Sequence, residues 1–536
     1  MTKRYLHLDL PHPSTAELIR TAFAAVRTEM QIPADFPPAV HDEVARVLAA
    51  TKEHDWPEHS REYLDLEFIT IDPADSMDLD QAVHIARAGS GYTVHYAIAD
   101  VAAFVAPGGA IDLEAHARAM TLYAPDSRTP LHPPALSEGA ASLLPDQVRP
   151  AAVWDIDLDE RGAVTGARVS RGLIRSAGRL SYTQAQELHD ACAGGALASG
   201  CEVGELTDAA LAELLEGAGL PWDFSRTGTE TVLLLAQVGP LRQRIERDRG
   251  GISLNVPEQE VELREDSTFV LEFRSVLPVE DWNAQISLLT GVVGADMMLA
   301  AQVGVLRTLP KADPRDLARL RRTALALELH WPSETGYAEF VSALKGHNPR
   351  QAAFVYEATT LFRGAGYLVF DTDRLGPIPD ADKTVHHAIG ANYAHVTAPL
   401  RRLVDRYGTE IALAHCAGTP IPNWVLAALD SLPATMATGS RRSGSYSRAA
   451  VDIVEAVLLA PFVGQIFTGA VVEIESKDAR RGEVMIKEPA VRAQIRAAEP
   501  LPLGQVVSAR LEEADLDTRK IRFGLAESLS GEKKGN

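Results

Sequence analysis

The spacing of apolar residues changes character several times along the chain. In STAELIRTAFAAVRTEM, Leu18, Ile19, Ala22, Phe23 and Val26 share one helical face, and Ser14 and Glu17 stand in capping-box spacing at its start. A second helix is predicted after Pro37-Pro38, with Val40, Val44, Val47 and Leu48 at helical intervals. Two short helices predict either a cap packed on the main body or half of a helix-turn-helix module. From Leu66 to about Val105 the period becomes two. Val83 and Ile85 lead into the turn AGSG, and Tyr92, Val94, Tyr96 and Ile98 follow, which predicts a β-hairpin. From Tyr182 the pattern is mostly Ala/Leu-rich helix to about Leu459, with a strand-rich interruption at GISLNVPEQEVELREDSTFVLEFR. The last seventy or so residues alternate again, as short strands joined by Gly- and Asp-rich turns, the spacing of a five-stranded OB-type barrel. The fold class is α+β.

Between the first apolar strand and the hairpin lies FITIDPADSMDLDQAV, which places Asp72, Asp75, Asp78 and Asp80 within nine residues. Carboxylates this dense repel one another, so a cation, a basic side chain or water is expected among them. An EF-hand fails on spacing. From Asp78, Ala82, Val83 and Gly89 fall where a ligand, Gly and Glu are needed, and from Asp72 or Asp75 the third position is Ala74 or Met77. Two readings stand: a solvated acidic turn, or a Mg²⁺ site for phosphoryl chemistry. In the second, several aspartates on one irregular loop share one or two hard cations, and a pair of ions would sit about 3.5–4 Å apart.

Composition narrows this little. Apolar residues make up 46% and charged residues 23% of the 536, an ordinary globular balance. The formal net charge of −21 argues against a general nucleic-acid-coating surface, though not against a local basic channel. Cys192, Cys201 and Cys416 form neither a C-x-x-C pair nor a zinc cluster, which suits a reducing cytoplasm. No signal peptide is read at the start, and no apolar run of the roughly 18 residues that span a bilayer is read anywhere. The expectation is a soluble cytoplasmic protein without a membrane contact.

TIDPADSMDLDQAV resembles the signature of the ribonuclease II (RNB) family of exoribonucleases, T-I-D-P-x-D-A-x-D-x-D-D-A. Three further segments resemble that family in its own order: YAIADVAAFVAPGGAIDLEAHARAMTLYAPD, LHPPALSEGAASLLPDQVRPA and NYAHVTAPLRRLVDR. The C-terminal barrel is similar to the S1 RNA-binding domain that follows in the family. The resemblance implies a helical module over 1–58, an RNB catalytic domain over 59–459 (a mixed sheet surrounded by helices), an S1 barrel over 460–530 and a polar tail over 531–536. It implies a hydrolase that shortens RNA from the 3′ end to nucleoside 5′-monophosphates. Mg²⁺ is the implied cofactor, one or two ions with Mn²⁺ as a substitute. Single-stranded RNA 3′ ends are the partner, and the chain is expected to act as a monomer without an obligate protein partner.

Carried onto this chain, the resemblance implies that Asp72, Asp78 and Asp80 hold metal, with Asp75 in support and Gln81 in the place of a fourth aspartate. Tyr182 would pack on the 3′-terminal nucleotide, Tyr123 would stack further along the channel, and Arg401 would engage the scissile phosphate. His395, Thr397 and Arg402 share the Arg401 motif. Lys477, Arg480, Arg481 and Lys487 are candidate RNA contacts of the barrel, or a solvated basic surface. The pattern departs from the family at Gln81, at APLRRL for SPIRRY, at Ser447-Arg448 for a Glu-Arg pair, and at Ala284 and Gln285 where acids are expected. These departures keep a second reading open, an RNA-binding or regulatory protein with weakened or lost nuclease activity. A metal-dependent DNase is a third. The family's usual pair of N-terminal cold-shock barrels does not fit in about sixty helical residues, so an entrance that tolerates more structured RNA is also expected.

Overall fold

The computed structural model describes residues 13–52, 62–194, 207–220, 224–252, 258–263, 269–274, 276–344, 349–362, 364–486 and 491–526. Five strands close a barrel in the catalytic region: β1 (Glu62–Asp72), β2 (Gln81–Ala88), β3 (Gly91–Ala99), β6 (Val148–Leu158) and β7 (Val164–Ser181). Neighbours run antiparallel except β1 and β7, whose parallel pairing shuts the barrel. The expected mixed sheet is present, but period-two patterning does not reveal that its edges meet.

Alternation sorts each strand's side chains into two cores. Tyr92, Val94, Tyr96 and Ile98 of β3 join Trp154 and Ile156 of β6 under the helices, while Ala97 and Ala99 pack on the opposite side with Phe68 and Val153. The helix Pro278–Ala301 lies over Trp154. By length and hydropathy alone that helix could cross a bilayer, so the sequence reading passed over one candidate span. Its residues Val279, Ile286, Leu289 and Met298 are buried against barrel and helices, as in a core helix. At Gly291 a Cβ would stand 2.1 Å from the Tyr393 ring, and the Gly291 carbonyl accepts from the Ala394 amide at 3.0 Å. Glycine there lets Tyr393 and Ala394 lie directly on this helix, at the head of the segment that leads to Arg401.

The N-terminal helices α1 (Pro13–Glu29) and α2 (Pro38–Lys52) join different cores. Ile19, Phe23 and Val26 pack with the helix Leu432–Leu459, and Val40 and Val44 pack beside Phe104 and Ile111. They strap two regions of the body instead of forming a helix-turn-helix pair. Pro13 already belongs to α1, so Ser14 does not stand ahead of it as a cap. A second closed barrel comprises Ile466–Ile474, Arg481–Ile486, Val491–Arg496, Val506–Asp515 and Lys520–Leu525. Its third and fifth strands are parallel, the order of an OB-type barrel.

Candidate active site

The aspartate loop is the connection from β1 to β2, and its shape is set by backbone hydrogen bonds. Leu79, fully buried, anchors it: its amide donates to Ser142 Oγ at 3.0 Å, and Ser142 Oγ donates to the Met77 carbonyl at 2.7 Å. The Asp80 carbonyl accepts from the Ala99 amide at 2.9 Å. Arg179 of β7 donates to the Ala74 carbonyl and so holds the far side.

Asp72, at the end of β1, is paired in register with Ser181, so Tyr182 follows immediately beside it at the start of the helix Tyr182–Gly194. Asn283, on the Pro278–Ala301 helix, donates to the Ile71 carbonyl at 3.2 Å and is also hydrogen-bonded to Tyr182. Asp80 Oδ1 accepts from the Leu400 amide at 2.7 Å, and Arg401 Nε stands 3.4 Å from Asp80 Oδ2. The Arg401 side chain remains 45% exposed, leaving guanidinium edges open to a substrate. Burial pushes the Asp72 carboxyl up to about 6, against the pull of Arg401, and pushes Asp80 well above the usual carboxylate range.

Asp78 is held differently. Arg128 Nη1 donates to its Oδ1 at 3.3 Å, Tyr123 OH donates to its Oδ2 at 3.3 Å, and Ser76 Oγ lies 3.4 Å away. Tyr123 and Arg128 are cross-strand partners in the hairpin of β4 (Leu122–Ala124) and β5 (Ser127–Thr129). That hairpin docks on the arginine segment through an isolated bridge between Met120 and Arg402. Tyr123 is 43% exposed, as a stacking platform needs to be. Arg128 is a site residue that the sequence reading missed. The signal was the two-residue Pro125-Asp126 connection, which sets residue 128 opposite 123.

Several expected site residues have other work. The Gln81 carboxamide is engaged at both ends: its Oε1 accepts from Tyr96 OH at 2.6 Å and its Nε2 donates to the Thr397 carbonyl at 2.7 Å. That arrangement corrects the expectation of a fourth metal ligand. Thr397 is buried, and its hydroxyl lies 2.8 Å from Ser287 Oγ. Arg402 is clamped in a fork on buried Asp405 at 2.9 and 2.8 Å, and Asp405 also accepts from the Ala398 amide at 2.7 Å. His395 Nδ1 lies 2.7 Å from Tyr367 OH, and burial together with Arg402 and Arg307 holds its pKa well below the ordinary value. Thr397, Arg402 and His395 therefore frame the site instead of reaching RNA. Asp75 is exposed. Gln285 is buried on Glu246 at 2.6 Å and Ala284 is exposed; the residue of that helix that reaches the site is Asn283. Ser447 and Arg448 are exposed on the Leu432–Leu459 helix. Lys477, Arg480 and Arg481 are exposed near the first turn of the C-terminal barrel, where both arginines pair with Asp478 at 3.1 and 3.7 Å. Lys487 lies outside the described residues.

Asp72 Oδ2 and Asp80 Oδ2 are buried and accept no hydrogen bond. Such oxygens are costly unless a cation meets them. Among the described residues no three acidic, His or Cys groups converge on one point, and Asp78 is engaged by Arg128 and Tyr123. Two buried carboxylate oxygens that accept no hydrogen bond, one of them 3.4 Å from Arg401 Nε, plus the neighbouring Asp78 carboxylate, suit a hard ion that keeps several waters. The residues fit.

A model of the RNB domain matches residues 60–412, and a model of the RNase II-type exonuclease C-terminal S1 domain matches residues 465–526. The chain belongs to the RNB family, whose ribonucleases are metal-dependent hydrolases. Ribonuclease R of Mycoplasma genitalium is 24% identical over 453 residues, covering 82% of this chain and 57% of that protein. Ribonuclease R of Acidithiobacillus ferrooxidans is 39% identical over 124 residues, covering 23% of this chain and 28% of the relative. The chain thus matches little more than half the length of these curated relatives at most. The apo form of Mycoplasma genitalium RNase R superposes with a TM-score of 0.77 at 20% identity, over 95% of this chain and 78% of that one. The same protein solved with double-stranded RNA gives 0.74 at 20% identity, over 95% and 83%. Yeast Ssd1, a pseudonuclease, gives 0.62 at 15% identity, over 86% and 53%. At these identities the likeness establishes the fold.

Proposed function

We propose that this chain is a Mg²⁺-dependent 3′→5′ exoribonuclease that hydrolyses RNA to nucleoside 5′-monophosphates, working in the cytoplasm as a monomer. The observation that carries the reading is the pair of buried, unbonded oxygens on Asp72 and Asp80 beside a half-exposed Arg401. When bound by Asp72, Asp80 and Asp78, a divalent cation supplies the Lewis acidity that phosphodiester hydrolysis needs. The chain's own residues do the rest. Arg401 presents guanidinium N–H groups to the scissile phosphate, where negative charge builds as water attacks. Asp80 keeps that guanidinium in place, and Leu400 keeps Asp80 in place. Tyr182, next to Asp72, offers a ring to the terminal nucleotide. Tyr123 offers another along the channel, so grip is independent of sequence.

The RNA-complexed structures of Mycoplasma genitalium RNase R, one with ribose-methylated single-stranded RNA and one with double-stranded RNA, support RNA as the substrate class. The double-stranded RNA complex of that relative extends the reading to structured RNA with a 3′ overhang. The test is incubation of overhang duplexes with this chain and with a relative that carries cold-shock barrels. Arrest nearer to or inside the duplex with this chain supports the extension, and arrest at the same distance refutes it.

A further inference from the structure

Resting on the reading that Asp72, Asp78 and Asp80 hold a divalent cation, we propose that Arg128 is an exchangeable counter-ion: it holds Asp78 in the metal-free chain and gives it up when the metal binds. Three observations carry this. Asp72 and Asp80 each keep a buried oxygen that accepts no hydrogen bond, whereas both oxygens of Asp78 are occupied, by Arg128 on one and Tyr123 on the other. The Arg128–Asp78 contact, at 3.3 Å, is longer than the ordinary charge-assisted hydrogen bond. The opposite guanidinium nitrogen lies 3.0 Å from Glu138 Oε2, so the side chain keeps an anionic partner after it releases Asp78.

Charge explains why the arrangement suits the site. Without an ion, Asp72, Asp78 and Asp80 would repel one another, and a guanidinium on Asp78 together with Arg401 on Asp80 offsets that repulsion. A divalent cation brings more charge closer and replaces the outer arginine. Arg401 differs, because Asp80 is also fixed by the Leu400 amide whether or not an ion is present. Arg128 therefore competes with the metal for Asp78 and sets how tightly the ion is held. The competing idea is that Arg128 merely orients Asp78 as a ligand, and its sign is opposite.

The experiment measures Mn²⁺ affinity of the full chain without RNA, by calorimetry and by the signal of free Mn²⁺ in magnetic resonance. The proteins are wild type, Arg128→Gln, Asp78→Asn and the double variant, with Asp80→Asn locating the ion. Arg128→Gln is expected to bind Mn²⁺ about two- to fivefold more tightly, the scale of a partly exposed ion pair. In the Asp78→Asn background the same change should have no effect, since the contested carboxylate is gone. Unchanged or weaker binding by Arg128→Gln, or a gain that persists without Asp78, would overturn the proposal. The Arg128 side chain is 29% exposed, so the metal-free variant should still melt cooperatively, at most slightly below wild type, which excludes a folding artefact. RNA cleavage is read in no arm. Failure of the nuclease reading would appear in a separate cleavage assay, as intact RNA with the ion still bound at the aspartates.

Discussion

The carboxamide nitrogen of Gln81 donates to the backbone carbonyl of Thr397 at 2.7 Å, joining the start of β2 to the segment that carries Arg401. With Tyr96 donating to the other end, Gln81 spans three pieces of chain that must stay in register for Asp80 and Arg401 to meet. Replacing it with aspartate removes the N–H donor and sets a carboxylate toward a carbonyl. Gln81→Asp should lower stability by about 1–3 kcal/mol, the cost of a disrupted buried hydrogen bond, and should lower kcat. Urea unfolding and steady-state kinetics check both, and a rise in kcat would return this position to the metal.

Adjacent arginines should fail in different ways. Arg402 is forked on fully buried Asp405, so Arg402→Ala should cost about 3–5 kcal/mol by leaving a buried charge unpaired. Arg401 is half exposed and its partner Asp80 is also held by the Leu400 amide, so Arg401→Ala should cost less stability than Arg402→Ala and reduce kcat by about 10²–10³. Calorimetry and single-turnover cleavage on the two variants separate these outcomes.

This contrast marks how much the chain disclosed before its structure. The hairpin after the aspartate loop and the C-terminal barrel were legible because alternation with period two survives in Tyr92, Val94, Tyr96 and Ile98 and in the last strands. The loop aspartates and Arg401 were legible because four motifs stood in order. Direction was not legible. Within residues 395–402 only Arg401 reaches the site, while His395, Thr397 and Arg402 turn to partners in the frame, and a motif records identity without orientation. Arg128 escaped for a related reason: it matters only because a short hairpin sets it opposite Tyr123.

Tyr123→Ala should weaken binding of single-stranded RNA by about 1–3 kcal/mol, the loss of one stacked base. Because the ring is 43% exposed, the melting temperature should hold. Anisotropy with a labelled, non-cleavable RNA in the presence of metal reads the affinity.

Stability should fall on mild acidification. His132 is 3% exposed, its Nδ1 has no hydrogen-bond partner, and burial holds its pKa down at about 3, against an ordinary 6.5. A histidine kept neutral in the fold contributes stability that is complete above pH 6.5 and is lost as pH falls from there toward 3. At about 1.4 kcal/mol per pH unit the loss reaches a few kcal/mol across that window. His132→Gln should flatten the pH dependence of the urea midpoint between pH 6.5 and 4. An unchanged slope would place the acid sensitivity elsewhere.

The most direct test of the central claim uses 5′-labelled single-stranded RNA and the matching DNA, with Mg²⁺ or EDTA, on wild type and Asp80→Asn. The expected result is a ladder that shortens from the 3′ end on RNA alone and is abolished both by EDTA and by Asp80→Asn. Intact RNA with tight binding retained by the wild type would contradict the account and leave an RNA-binding protein on a nuclease fold.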